Sequence, residues 1–165
     1  QEDKEIIFTW RNSESIRANM YNDQSIPYEH HCQWFADVLS NHSDHYRIFT
    51  YQKEPLGLVS FKKLSVHNQT CEWGFYIGAF GAPKGSGTIM GRLALDYGFD
   101  SLNMRKIIGE VLAFNETSQR FHQRLGFVRE GLFKNEIRRK HEFINVIRFA
   151  LFKEEWAAQK QRNEE

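Results

Sequence analysis

Residues Cys71 to Phe99, CEWGFYIGAFGAPKGSGTIMGRLALDYGF, constrain the fold more than any other stretch. An apolar and aromatic run (Trp73, Phe75, Tyr76, Ile77) has the side chains of a strand. It enters a turn-rich loop holding Gly81, Pro83, Gly85 and Gly87. A helical pattern follows at once, with Ile89, Leu93, Leu95 and Phe99 as its apolar positions. The first turn of a helix leaves backbone N–H groups without intrahelical partners, and a strand and glycine loop ahead of it aim them at an anion. The donors expected here are Gly85, Ser86, Gly87, Thr88 and Ile89, with Lys84 adding positive charge. The alternative is a flexible turn that binds nothing.

The rest of the chain must supply a core, and 165 residues with 41% hydrophobic and 15% aromatic side chains suffice for one domain over residues 1–165. The net charge is +1 and both signs are dispersed, which excludes nucleic-acid binding driven by bulk charge. No run approaches about 18 apolar residues, so no membrane span is expected. Nothing at the start reads as a secretory signal. Cys32 and Cys71 form neither a metal cluster nor a disulfide framework, and two lone thiols suit a reducing, cytoplasmic compartment. The seven histidines do not fall into H-x-x-x-H or H-E-x-x-H on one helix, so no metal site is expected. The chain lacks an initiating Met, and residues are expected to precede Gln1.

In chain order, Gln1 to Asn12 reads as a helix with early acids and inward Ile6, Ile7 and Trp10. Ser13 is placed to cap a short helix that turns Ile16 and Met20 inward. Pro27 opens a helix from Tyr28 to Leu39, with His31, Trp34, Phe35, Val38 and Leu39 on one side. A polar loop, Asn41 to Asp44, leads into three strands, Tyr46 to Tyr51, Leu56 to Leu64 and Thr70 to Gly78, in an antiparallel meander. Beyond the glycine loop come a helix (Thr88 to Ser101), a strand (Arg105 to Phe114) and a helix (Asn115 to Leu125) stopped by Gly126. Phe127 to Leu132 begins a strand or bulged turn, Lys134 to His141 reads as a basic loop or hairpin, and Glu142 to Phe152 is a last strand before a polar helical tail. This order implies an α+β sheet that turns from antiparallel to parallel across the glycine loop.

KGSGTIMGRLALDYGF after CEWGFYIG resembles the acetyl-CoA motif of the GNAT N-acetyltransferases, and NETSQRFHQRLGFVREG resembles that family's second motif. The resemblance implies a GNAT fold, an α/β sandwich with a central mixed, mostly antiparallel sheet flanked by helices. It also implies a first strand ahead of Gln1. RNSESIRANMYND with HCQWF, WGFYIG and VLAFNETSQRFHQRLGF is further similar to the nucleotide-sugar acetyltransferases of the pseudaminic acid pathway, which serves flagellin glycosylation. Those enzymes acetylate the 4-amino group of a UDP-linked 4-amino-4,6-dideoxy-N-acetyl-altrosamine, by direct transfer from acetyl-CoA in a ternary complex. Two departures stand out. Ile89 occupies the last place of the loop, where the superfamily has a small residue, and His122 stands where a general-acid Tyr is usual.

By this resemblance, Tyr76 and Ile77 offer a free strand edge to the pantetheine arm, and Asn115 and Ser118 meet it from the second motif. Asn115 also suits a helix N-cap. Glu72, a carboxylate in an apolar strand, is the candidate proton acceptor, since such a setting raises a carboxyl pKa. His122, two helical turns from Asn115 and on its face, is the candidate acid for the leaving thiolate. For the acceptor site, which also includes His31, Arg11, Lys62 and Lys63 supply cations to a diphosphate, and Met20, Tyr21 and Trp34 build the apolar wall against the methyl group of a deoxy sugar. Met20 and Trp34 are equally readable as helix-packing core. The rival functions are a protein N-terminal acetyltransferase of the same fold and a catalytically silent acyl-CoA-binding domain. A homodimer is compatible with all three.

Overall fold

The structure, a computed structural model, describes residues 2–41 and 43–164; Gln1 and the middle of the expected Asn41–Asp44 loop lie outside them. In order, the chain forms α1 (Glu2–Asn12), α2 (Glu14–Arg17), α3 (Tyr28–Ser40), β1 (His45–Tyr51), β2 (Glu54–Ser65) and β3 (Thr70–Ile77). It continues with α4 (Ser86–Asp96), a π-helical turn (Tyr97–Ser101), β4 (Lys106–Leu112), α5 (Glu116–Arg124), β5 (Val128–Arg139), β6 (Glu142–Phe152) and α6 (Lys153–Glu164). The strands make one six-stranded sheet in the order β1-β2-β3-β4-β6-β5. β3 and β4 are the parallel pair and the other neighbours are antiparallel, so the architecture is the expected mixed α+β sheet flanked by helices. No helix among the described residues is long and apolar enough to cross a membrane.

Register sorts the side chains into two faces. Phe61, Trp73, Gly109 and Phe149 lie side by side across β2, β3, β4 and β6, and this face forms the main core with Phe99, Phe127, Leu95 and Trp156. α4, α5 and α6 cover it. Gly91 lets α4 approach α5 so closely that a methyl there would fall 2.8 Å from Phe121 and 2.9 Å from Leu125. Trp156 of α6 donates its indole N–H to Asp96 at 2.8 Å, pinning the C-terminal helix to the end of α4. The opposite face carries Tyr46, Ser60, Lys62, Glu72, Tyr76 and Glu110. α1 meets it through Trp10 on Tyr76, and α3 through Trp34 on Tyr46.

Several boundaries differ from the sequence expectation. α2 has only four residues; Ile16 is buried, but Met20 lies beyond the helix and is half-buried. Ser13 does not cap it, because its hydroxyl donates back to the Trp10 carbonyl. Leu39 points to solvent, whereas His31 is the buried residue of α3. α4 turns Met90, Ala94 and Leu95 inward and leaves Ile89 and Leu93 exposed, since the contact with α5 sets its phase. Of the loop or hairpin expected over Lys134 to His141, the hairpin is what forms: β5 runs to Arg139 and turns into β6. β6 is too apolar to serve as an edge and needs a covering partner, which β5 provides. Two register shifts in β5, between Arg129 and Gly131 and between Phe133 and Ile137, break the alternation that would have revealed it.

Gly109 sits under the densest part of this packing. A methyl there would fall 2.4 Å from the His122 ring and 2.9 Å from the Trp73 indole nitrogen. Gly109→Ala is therefore expected to destabilise the protein by about 1–3 kcal/mol through overpacking. Urea unfolding checks this, and an unchanged midpoint would show that the contact gives way freely.

Candidate active site

Parallel pairing of β3 with β4 runs from Thr70–Lys106 to Trp73–Gly109 and stops. Each strand continues on its other side, β3 against β2 as far as Ile77 and β4 against β6 as far as Leu112. Gly74 to Ile77 and Glu110 to Leu112 thus face each other across a V with unpaired backbone edges. A cleft of about 1170 Å³ fills the V. Its walls include both strand ends, the start of α5, and residues of α1, α2 and α3.

The glycine loop follows the open end of β3. Gly85 takes a left-handed conformation (φ 93°), which glycine adopts without strain. Ser86 N–H bonds to the Pro83 carbonyl at 3.1 Å and Ile89 N–H to the Gly85 carbonyl at 3.1 Å. Those two expected donors are consumed locally. Among the described residues no acceptor takes the N–H groups of Gly85, Gly87 and Thr88, which leaves them for an anion at the positive end of α4. A methyl at Gly87 would lie 3.9 Å from both Ile77 and Phe121, so the helix start adjoins the wall of the cleft, although none of Lys84 to Ile89 lines it.

Asn115 and Ser118 line the cleft at the start of α5. The Asn115 side-chain oxygen accepts from Ser118 N–H at 3.1 Å, the N-cap the residue type favours. Its amide nitrogen has no protein partner among the described residues and is free for a ligand.

His122 departs from its expected role. It is 2% exposed, stacked on Phe149 at 5.4 Å and surrounded by Trp73, Phe75, Phe121 and Phe127. The Trp73 indole N–H donates to Nε2 at 3.1 Å, so Nε2 is an acceptor. Nδ1 lies 2.8 Å from the Ser118 carbonyl and must then carry the proton. Burial pushes the imidazole down to about 4, against the weaker opposing pull of the Ser118 carbonyl. A neutral ring with both nitrogens engaged is a poor proton donor to a thiolate. Helical spacing placed it on the right face, but the sequence did not show that the ring turns into the core.

Glu72 likewise has different company from that expected. Lys63 Nζ stands 2.9 Å from each carboxylate oxygen, and Arg148 lies 3.7 Å away. Arg148 also lies 3.7 Å from Glu110, whose other oxygen accepts the Tyr21 hydroxyl at 2.7 Å. Burial, and then Glu110, raise the Tyr21 phenol above its usual range and keep it a neutral donor. Glu110 was not singled out from the sequence. The signal was present, since it is a lone acid in an apolar strand, as Glu72 is.

The acceptor candidates Arg11, Met20, Tyr21, His31, Trp34, Lys62 and Lys63 all line the cleft, together with Glu72, Tyr76, Ile77 and His122. Their roles separate. His31 is 2% exposed, bonds the Lys4 carbonyl at 2.7 Å and packs on Phe8 and Trp34, so it joins α3 to α1. Trp34 packs edge-on to Tyr46. Lys63 is spent on Glu72. Lys62 lies over the Tyr46 ring at 5.4 Å without a carboxylate partner among the described residues. Arg11 donates to the Asn22 carbonyl at 2.9 Å, while its Nη1 is buried with no partner. No group of three or more metal-ligating side chains occurs among the described residues.

The chain is similar to acetyltransferases in sequence and in fold. The family model described as the acetyltransferase (GNAT) domain matches residues 1–128. The uncharacterized N-acetyltransferase p20 of Bacillus licheniformis is 32% identical over 104 residues, 63% of this chain and only 58% of that protein. The spermidine N(1)-acetyltransferase of Escherichia coli (strain K12) is 26% identical over 163 residues, covering 96% of this chain and 86% of the relative. The acetyltransferase PseH of Campylobacter jejuni is 25% identical over 123 residues, 74% of this chain and 75% of that one. Among solved structures, the spermidine N-acetyltransferase of Vibrio cholerae in complex with CoA and spermine superimposes with a TM-score of 0.87 at 20% identity, over 95% of this chain and 94% of that one.

The state of His122 can be tested through stability. Its folded pKa is depressed, so the unfolded chain takes up a proton first as the pH falls below about 6.5. Its contribution is complete above that pH and is lost as the pH drops toward about 4, by at most roughly 3 kcal/mol. His122→Phe is expected to be less stable at pH 7, because it orphans the Trp73 N–H, yet to lose less stability between pH 7 and pH 4. Urea titrations across that range decide it; parallel losses in both proteins would show that the ring is not held neutral.

Proposed function

The chain belongs to the GNAT family of acetyl-CoA-dependent N-acetyltransferases, and we propose that its acceptor is a primary amine on a molecule that also carries negative charge, best matched by a UDP-linked 4-amino-deoxy sugar. The observation that carries this is the charge balance of the acceptor half of the cleft. Glu72 is neutralised by Lys63 and Glu116 by Arg120, and Glu110 sits beside Arg148 and under the Tyr21 hydroxyl. What is left over is positive: the buried, partnerless Nη1 of Arg11, and Lys62. A buried donor on a guanidinium is costly to leave unmet, and a diphosphate meets it with matching geometry. A polyamine would set further positive charge beside these groups. The E. coli and V. cholerae relatives are named for spermidine and match 96% and 95% of this chain against 74% for the C. jejuni acetyltransferase, so likeness leans toward a polyamine and the nucleotide-sugar reading rests on the charge balance alone.

Acetyl-CoA supplies an activated acetyl thioester. The N–H groups of Gly85, Gly87 and Thr88, with Lys84 nearby, hold its pyrophosphate. Gly74 to Ile77 bond the pantetheine amides along the open edge of β3, Asn115 offers its amide nitrogen, and a backbone N–H of that edge polarises the acetyl carbonyl. The amine comes in from the side of α1 and α3, where Met20, Tyr21 and Trp34 wall the sugar. Glu110, one residue beyond the last parallel pair, accepts the amine proton. Glu72, with both oxygens engaged by Lys63, holds the base's surroundings in place. The nitrogen forms an amide bond as the carbon–sulfur bond breaks, and solvent returns a proton to the thiolate.

Acetyl-CoA turnover measured against UDP-4-amino-deoxy sugars, spermidine and a short peptide tests the acceptor. Activity with the nucleotide-sugar, weakened by Arg11→Met mainly through KM, is the expected result. Turnover of spermidine or peptide alone would overturn it, and tight CoA binding without any turnover would mark a silent domain. Glu110→Gln should lower kcat by about 100- to 10,000-fold and Glu72→Gln by less. The reverse order would return the base to Glu72.

A further inference from the structure

The chain between α2 and α3, residues 18–27, brings Met20 and Tyr21 to the cleft without regular secondary structure of its own. Most of its hydrogen bonds are to α1 and α2. Arg11 and Arg17 donate to the carbonyls of Asn22 and Asp23, and the Asn12 side chain takes both the N–H and the carbonyl of Ile26. These contacts travel with the helices and do not fix the loop to the sheet. Among the described residues two hydrogen-bonded ties do. One is the Tyr21 hydroxyl on Glu110. The other is Arg139, near the end of β5, which donates to the Ala18 carbonyl and to the Asp23 carboxylate, each at 3.0 Å.

We propose that the Arg139–Asp23 ion pair clamps this loop to the sheet and so sets the affinity of the enzyme for its acceptor, through the position of Tyr21. The side chains of the pair are only 14% and 18% exposed, so solvent screens it less than an ordinary surface pair. The planar guanidinium grips a carbonyl and a carboxylate at once, which a lysine does not do. It also lies over the Phe114 ring, 5.4 Å from its centre, next to Asn115 at the start of α5. One side chain thus spans the acceptor loop, the β5–β6 hairpin and the segment leading into the second motif, 116 residues away in sequence from Asp23. The Arg139 hydrogen bond holds the Asp23 carboxyl below its usual range, as expected of a pair made in the folded protein. Arg139 is a positioning residue: it touches no substrate and acts through Tyr21. The proposal rests on this half of the cleft taking the amine, and not on which amine is used.

Hydrogen exchange and kinetics on Arg139→Met and Arg139→Lys test it. In the protein without substrates, Arg139→Met should speed amide exchange over residues 18–26 by at least about tenfold and leave β2 and β3 unchanged. With the amine turned over fastest, its KM should rise by about tenfold, while kcat and the KM for acetyl-CoA stay within about twofold; Arg139→Lys should recover part of the loss. In a Tyr21→Phe background, Arg139→Met should add little, because both act through one contact. Unchanged exchange at 18–26, equal acceleration throughout the sheet, or a joint rise of both KM values would overturn the clamp. If no amine is turned over, the acceptor assignment fails, and the exchange experiment still decides whether the clamp exists.

Discussion

Two parallel strands that pair at four positions and then part leave backbone groups with nothing to bond. That geometry would be costly in a closed core, because each orphaned N–H or C=O loses its water without a replacement. Here the parting opens into the cleft. Trp73 and His122, packed over Gly109, form the wedge at its apex. The glycine loop, the start of α5 and the acceptor helices are all disposed around the V that results. The tautomer of His122 follows from the same packing. An aromatic ring at that place must fill the wedge, and an imidazole does so only by engaging both nitrogens.

Charge in the cleft is arranged as sparingly as the backbone. Each carboxylate lining it has a cation or a hydroxyl at hand, and the cleft-lining groups left without an anion are cationic, Arg11 through its buried Nη1 and Lys62. This imbalance is what the proposed acceptor rests on. It arises where α1 lies on the sheet, since Trp10 packs on Tyr76 and carries Arg11 beside it.

The layout of the fold was legible because its signals are local. Alternation marked β1, short turns marked off β2, an aromatic run marked β3, glycines marked the approach to α4, and Gly126 marked the end of α5. The acceptor candidates came from the family resemblance more than from spacing, and all seven line the cleft. What failed depended on partners distant in sequence. His122 reads as the acid for the leaving thiolate until Trp73 and Phe149 are seen around it. Lys63 reads as a free cation until Glu72 is opposite. β5 reads only as the start of a strand and then a loop or hairpin, because its two register shifts erase the alternation and its charged side chains suit an edge. Glu110 was overlooked for a different reason, since a single acid within an apolar strand is a weak signal until a neighbouring strand supplies a second.

The close approach at Gly91 acts as a calliper. It fixes α4 on α5 by direct contact of backbone with Phe121 and Leu125, and these helices carry the glycine loop and Asn115 at their starts. The interval between the start of α4 and the Asn115 amide is therefore a property of helix packing and not of the loops. Changes in loop composition can alter how firmly a ligand is gripped. They cannot alter the length of ligand that fits between the two points, which only a repacking of the helices would reset.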